Sequence, residues 1–203
     1  MVTHKRKPTE ERQREIVLAV LRIIGGRGIS SLTTATIAAE IGVTSGALFR
    51  HYDSLDDIFR AVLHYAQSTI ETTFPDPSLP PMERLFTLAR NRVQLLGTSP
   101  GLAWLMRSEQ VDKLFPSDAV EVLWDVTRRS MVFIQQALKQ GVEEGAIRND
   151  IDIDVLLILI TGTMHALIGI PGIRQITKGT KGKRASPSDR VLPALERLLR
   201  APQ

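Results

Sequence analysis

The stretch IAAEIGVTSGALFRHY, Ile37 to Tyr52, leaves a chain few ways to fold. Ile37, Ala38 and Ile41 put one apolar face on a short helix, Gly42 lets the backbone leave it at positive φ, and Val43 turns back to the core. Thr44 stands where it caps a second helix, and Leu48 where it packs towards Ala38. Two helices joined through a glycine, with a small alanine at their crossing, form a helix-turn-helix. The plainer reading of the same spacing is an αα-hairpin whose Ser, Arg and His are simply exposed.

The outward residues favour nucleic acid. Ser45 and Gly46 add little bulk at the start of the second helix, the end that enters a major groove. Thr44, Ser45 and Arg50 can donate to phosphates or base edges, with His51 one turn on. His4, Lys5, Arg6 and Lys7 form a basic arm just before the first helix, suited to phosphate neutralisation, although such clusters are also often plain solvated segments. A second basic group, Lys178, Lys181, Lys183 and Arg184, lies in a Gly-rich loop.

Helical periodicity runs through the rest of the chain, and the class it predicts is all-α. Thr9 caps a first helix with Glu10 and Glu11 in its first turn, which ends at Gly25-Gly26-Arg27-Gly28. Leu32–Gly42 holds a second helix opened by Thr33 or Thr34, and Thr44–Tyr52 a third. Ser54 and Asp57 open a fourth, reaching Thr72, and the proline-rich FPDPSLPP at 74–81 is the best boundary. Further helices are expected near 82–96, 101–111, 117–144, 153–170 and 188–200, with Pro193 kinking the last or delaying its start. The expected division is a helix-turn-helix domain at 1–53, a linking helix from 54 to about 72, and a helical ligand-binding and dimerisation domain at 73–203.

Composition excludes other classes. The chain has 203 residues, 43% of hydrophobic type, and no cysteine, so it has material for a core and none for disulfides or thiolate metal sites. The basic N-terminus lacks an apolar run of signal-peptide type, and the expected location is the cytoplasm. Val155–Ile173 carries no formal charge over a span within the ~17–25 residues of a membrane helix, but its polar residues and glycines favour a helix hidden inside a protein or dimer. NDIDIDV at 149–155 begins like a calcium loop, yet Val155 stands where that loop needs glycine and Thr161 where it needs glutamate, so the acids read as a helix N-terminus. The histidines lack zinc spacing and no nucleophile, phosphate or dinucleotide motif occurs, so no metal, cofactor or catalysis is expected.

Residues 9 to about 65 resemble the N-terminal domain of TetR-family transcriptional regulators. Ile37, Ala38, Gly42, Val43, Thr44, Gly46, Leu48, His51 and Ser54 fall on the family's pattern around its recognition helix. Phe49 departs from a usual tyrosine that touches phosphate, and Leu55 from a common phosphate-contacting lysine; Tyr52 replaces a usual phenylalanine. The resemblance implies a DNA-binding set of Lys5, Arg6, Lys7, Thr33, Thr34, Thr44, Ser45, Gly46, Phe49, Arg50 and His51.

It also implies a homodimer on pseudo-palindromic double-stranded DNA, and a bacterial repressor released by a small-molecule effector. Trp104, Met106, Arg107, Met131, Phe133 and His165 are the expected pocket, with Arg107 or His165 as polar readers; each has an ordinary core reading beside it. Leu156, Ile160, Met164, Leu167, Leu195 and Leu198 are the expected dimer face. The alternatives are an effector-independent architectural DNA-binding factor, and a helical ligand-binding or interaction protein with weakened DNA affinity.

Overall fold

The computed structural model describes residues 8–169 and 187–202. Its elements are α1 (Thr9–Arg27), a 3-10 turn at Ile29–Ser31, α2 (Thr34–Glu40), α3 (Ser45–Leu48), α4 (Leu55–Glu71), α5 (Pro81–Thr98), α6 (Pro100–Leu105), α7 (Val111–Leu114), α8 (Ser117–Glu143), α9 (Ile153–Gly169) and α10 (Pro187–Leu199). Among the described residues the class is all-α; the one extended pairing is an isolated bridge between Ile147 and Arg200. No helix among them is long and apolar enough to cross a membrane.

The chain packs as two compact units. One holds residues up to Thr69 together with Ser99–Trp124, and the other holds Ile70–Thr98 together with residues from Asp125 onwards. This packing division differs from the expected division at 53 and 73, because the 99–124 segment folds against the N-terminal helices.

In the first unit, Ile16, Val20 and Ile23 are wholly buried along α1, with Val17, Leu21 and Ile24 beside them. Pro8, not Thr9, occupies the position before α1, and Thr9 lies in the first turn, so the expected threonine cap does not form. Gly25 and Gly26 do not stop the helix either. It ends at Gly28, whose φ of 81° takes the left-handed region that favours glycine. Gly25 serves close approach instead: a Cβ there would stand 2.7 Å from the Gly101 nitrogen, and a Cβ on Gly101 would meet the Leu21 carbonyl group. The two glycines thus let the start of α6 lie on α1 almost backbone to backbone.

Phe59 on α4 stacks on Phe115 at 4.9 Å between ring centroids. Arg60 donates to Asp118 at 2.9 Å and to Asp57 at 3.0 Å, and the Trp124 indole donates to Asp112 at 2.7 Å. These contacts fix the later segment onto α4 and α7 within the unit.

In the second unit, Leu85, Leu88, Ala89, Val93 and Leu96 form the buried stripe of α5, which packs on α9 and α10. Arg148 grips Asp150 with two bonds of 2.7 Å and also donates to the Leu198 carbonyl at 3.2 Å. Asp150 is therefore engaged by an arginine beside the start of α9, and Asp154 lies in that helix's first turn. α10 runs from Pro187 through Pro193 to Leu199, so Pro193 neither delays its start nor ends it; the proline is exposed, where its missing N–H leaves a carbonyl that water reaches.

The residues of the expected dimer face fall on two sides of the helices. Leu156, Ile160 and Met164 recur every four residues on the side of α9 buried within the chain, and Leu195 is buried on α10. The face left outward carries Val155, Ile158 (67% exposed) and Leu159, with Leu198 (64% exposed) on α10; Leu167 is half-buried. α9 is apolar on nearly every side, so periodicity marks no inside, and packing against α5 selects it.

Gly101→Ala is expected to lose about 1–3 kcal/mol in denaturant unfolding, because the added methyl has only backbone to push against. Gly26→Ala, with open space around it, leaves stability unchanged or raises it by up to about 1 kcal/mol. Equal losses in the two variants would count against the α1–α6 approach.

Candidate nucleic-acid interface

α2 opens on a reciprocal cap. The Thr36 N–H donates to Thr33 Oγ1 at 3.1 Å, and the Thr33 N–H donates to Thr36 Oγ1 at 2.9 Å. Thr33 is therefore the cap and Thr34 the first helical residue. Short apolar helices fray, and two satisfied donors at the N-terminus counter this over only seven residues.

The other end of α2 makes the turn. The Val43 N–H reaches the Ala38 carbonyl at 3.0 Å and the Gly42 N–H reaches the Ala39 carbonyl at 3.2 Å, with Gly42 at φ 70°. This is the crossed pair of bonds that closes a helix through a left-handed residue. Ile37, Ala38 and Leu48 are all buried, so α2 and α3 share one small core.

α3 is shorter than its sequence suggests. It covers Ser45–Leu48, after which His51 and Tyr52 N–H groups both converge on the Leu48 carbonyl at 3.0 and 3.2 Å. Phe49, at ψ 6°, is where the helical run ends. Thr44 occupies the capping position in extended conformation, but its side chain makes no cap bond. That hydroxyl is exposed and stands at the mouth of the recognition segment.

Around this segment Thr44, Gly46, Phe49 and Arg50 are exposed, Ser45 and His51 are half-buried, and Leu48 faces the core. Phe49, 44% exposed, offers an apolar surface of the kind that meets a thymine methyl rather than a phosphate. Lys5, Arg6 and Lys7 lie outside the described residues, as do Lys178, Lys181, Lys183 and Arg184.

Two attachments to α1 were not legible in the sequence. Gln13 Nε2 donates to the His51 carbonyl at 2.9 Å, and the Tyr52 hydroxyl donates back to the Gln13 carbonyl at 3.3 Å. Tyr52 is thus more than a conservative filler, and burial raises its phenol pKa. Glu40 at the end of α2 meets both Arg22, at 3.0 Å, and Arg27 of α1. The pair is half-exposed, so it contributes alignment more than energy.

α4 follows on the cap that the Ser-x-x-Asp spacing signals. The Asp57 N–H donates to Ser54 Oγ at 3.1 Å, and the Ser54 hydroxyl donates to the Asp57 carboxylate at 2.7 Å. That hydroxyl is the main reason the Asp57 pKa is lowered, with Arg60 adding to it.

The expected pocket residues do not gather in one unit. Trp104, Met106 and Arg107 belong to the first, where Arg107 is exposed and its Nε donates to the Ala103 carbonyl at 3.1 Å. Met131, Phe133 and His165 belong to the second, where His165 is exposed and Phe133 meets Phe74 edge to face at 5.4 Å. The buried polar residues among those described are Thr73, Arg84, Arg92 and Ser130, all in the second unit. Their signal in the sequence is an arginine at 92 on the apolar stripe of α5.

Residues 16–62 match the family described as bacterial regulatory proteins, tetR family. Over 66 residues the chain is 33% identical to the nucleoid occlusion factor SlmA of Haemophilus influenzae, an alignment spanning 32% of this chain and 30% of that protein's length. The fold is similar to that of the ketosteroid transcriptional regulator KstR2 of Mycobacterium tuberculosis, with TM-score 0.73 and 18% identity over 98% of this chain and 99% of that one. It is also similar to AibR in complex with isovaleryl coenzyme A and operator DNA, with TM-score 0.71 and 20% identity over 95% and 100%.

In Ser54→Ala the Asp57 carboxyl is expected to titrate closer to its ordinary 3.8, followed by carbon-detected NMR, and stability is expected to fall by about 1 kcal/mol. Since the native pKa lies below the unfolded one, the part of the cap that the Asp57 carboxylate supplies is full above the ordinary carboxylate range and is lost as pH falls through the lowered value. An unmoved titration would remove the serine from the cap.

Proposed function

Through residues 16–62 the chain belongs to the tetR family of bacterial regulatory proteins, and from that premise we propose that it is a dimeric, sequence-specific transcriptional repressor released by a small molecule. The observation that carries the DNA-binding part is the exposed set Thr44, Gly46, Phe49 and Arg50 on a segment whose other side is locked to α1. Rigid attachment matters because base readout needs donors held in register with the groove. Ser45 and His51 complete the reading surface, Thr33 and Thr34 flank it, and the arm at Lys5, Arg6 and Lys7 adds phosphate contacts.

Dimerisation is supported by the outward apolar face of α9 and α10. Val155, Ile158, Leu159 and Leu198 expose large aliphatic side chains on neighbouring helices, a pattern that a second copy would cover. A two-fold dimer presents two recognition segments to half-sites about 34–36 Å apart, hence a pseudo-palindromic operator. The likeness to an effector-bound and operator-bound regulator over nearly the whole chain supports coupling of the two activities. The identity with SlmA covers about a third of the chain and of that protein, so it carries no argument about the remainder. A regulator of this kind acts in the cytoplasm and catalyses no reaction.

Selection from a random duplex library, followed by anisotropy of the enriched DNA across a salt series, tests the reading. An inverted repeat with a steep salt slope is expected, and no enrichment at low salt from a folded protein would overturn it. Arg50→Ala is expected to weaken operator binding by about 1–3 kcal/mol. Removal of residues 1–7 is expected to flatten the salt slope. Ile158→Glu is expected to give a monomer in sedimentation; a dimer that persists at micromolar concentration would place the interface elsewhere.

A further inference from the structure

Arg92 is a buried charge with no countercharge among the described residues. It is 5% exposed on the apolar face of α5, and among the described residues no carboxylate forms an ion pair with it. Its Nε donates to Thr73 Oγ1 at 2.9 Å and one terminal nitrogen donates to Ser130 Oγ at 3.2 Å. Both hydroxyls give their own protons to helix carbonyls, Thr73 to Ile70 at 2.6 Å and Ser130 to Val126 at 2.7 Å. The hydroxyl oxygens are therefore oriented to accept, and the guanidinium is held by two neutral groups that use only part of its five N–H donors.

Burial pushes the Arg92 pKa down to about 10, which still leaves it charged at neutral pH. Buried charges are ordinarily paired, since desolvation of an ion is costly and neutral acceptors recover only part of that cost. A buried cation with donors in hand suits an anion that arrives from outside.

The surroundings narrow the ligand. The guanidinium carbon lies 5.7 Å from the centroid of the Phe74 ring, and Phe133 meets that ring edge-on at 5.4 Å. Both rings are half-buried, whereas Arg92 is buried, so the aromatic pair is the part of this cluster that reaches solvent more. Arg84, the other buried cation of α5, is eight residues away, about 12 Å along the helix, and donates to Gln140. A single fork therefore reads the ligand, which matches a planar monoanion better than a phosphate that would need a second cation.

We infer that the second unit binds an amphipathic carboxylate, its carboxyl group read by Arg92 on the Thr73–Ser130 hydroxyl pair and its apolar body lying towards Phe74 and Phe133. This rests on the effector part of the function proposed above and names the chemical class of that effector.

The test uses the full chain without DNA. Thermal unfolding is followed with decanoate, 2-naphthoate and cholate, each paired with its primary amide, and with decyl phosphate. At least one acid is expected to raise Tm in proportion to the logarithm of its concentration while its amide does not. Arg92→Gln is expected to weaken that acid at least roughly tenfold, with Arg92→Lys intermediate because it keeps the charge and loses the fork. A purely structural arginine would not make the wild-type protein prefer an acid to its amide, so this comparison stands even if Arg92→Gln fails to fold. The inference is overturned if no acid shifts Tm, if acid and amide act alike, if decyl phosphate alone stabilises, or if a folded Arg92→Gln protein binds the acid unchanged. Operator binding is measured separately by anisotropy, so loss of this inference and loss of the regulator reading give different results.

Discussion

The left-handed turn at Gly42 is the constraint on which the helix-turn-helix geometry depends. Its φ of 70° and the two carbonyl bonds from Ala38 and Ala39 stop α2 and redirect the chain within two residues. Only then does Leu48 reach the core beside Ile37 and Ala38, and only then do Thr44, Gly46 and Arg50 face outward. A residue with a Cβ at this position would strain the turn and shift every donor on the recognition segment. The bonds from Gln13 and Tyr52 then pin the far end to α1. A recognition segment of one helical turn is thereby positioned by its two ends, since it has little helical stability of its own.

The two units place their polar groups differently. In the first, charged groups sit at the surface: Arg60 with Asp57 and Asp118, and Glu40 with Arg22 and Arg27. Such pairs orient helices at small energetic consequence. In the second, Thr73, Arg84, Arg92 and Ser130 are inside, and the charged members are both cations. A core built for stability alone would use aliphatic side chains there, as the remainder of the α5 stripe does. The asymmetry gives the second unit a chemical character that fold similarity to solved structures does not supply.

Much of the helical layout was legible because its signals are local. The Ser54–Asp57 cap, the Gly42 turn and the apolar spacing of α1 and α5 each rest on residues within four positions of one another. Local signals also misled where two causes share one residue type. Gly25 reads as a helix stop, yet it is glycine because the α6 backbone lies against it at Gly101. Thr9 and Thr44 read as side-chain caps, and neither makes the bond.

The sequence by itself determined the all-α class, the helix-turn-helix and its outward residues, since each follows from periodicity and backbone preference over a short span. Only the tertiary structure decided which side of α9 is core, that the 99–124 segment joins the N-terminal helices, and that Arg92 is buried among hydroxyls. Those outcomes depend on contacts between residues far apart in the chain. A helix that is apolar all round carries no mark of its partner, and an arginine on an apolar stripe carries no mark of what meets it.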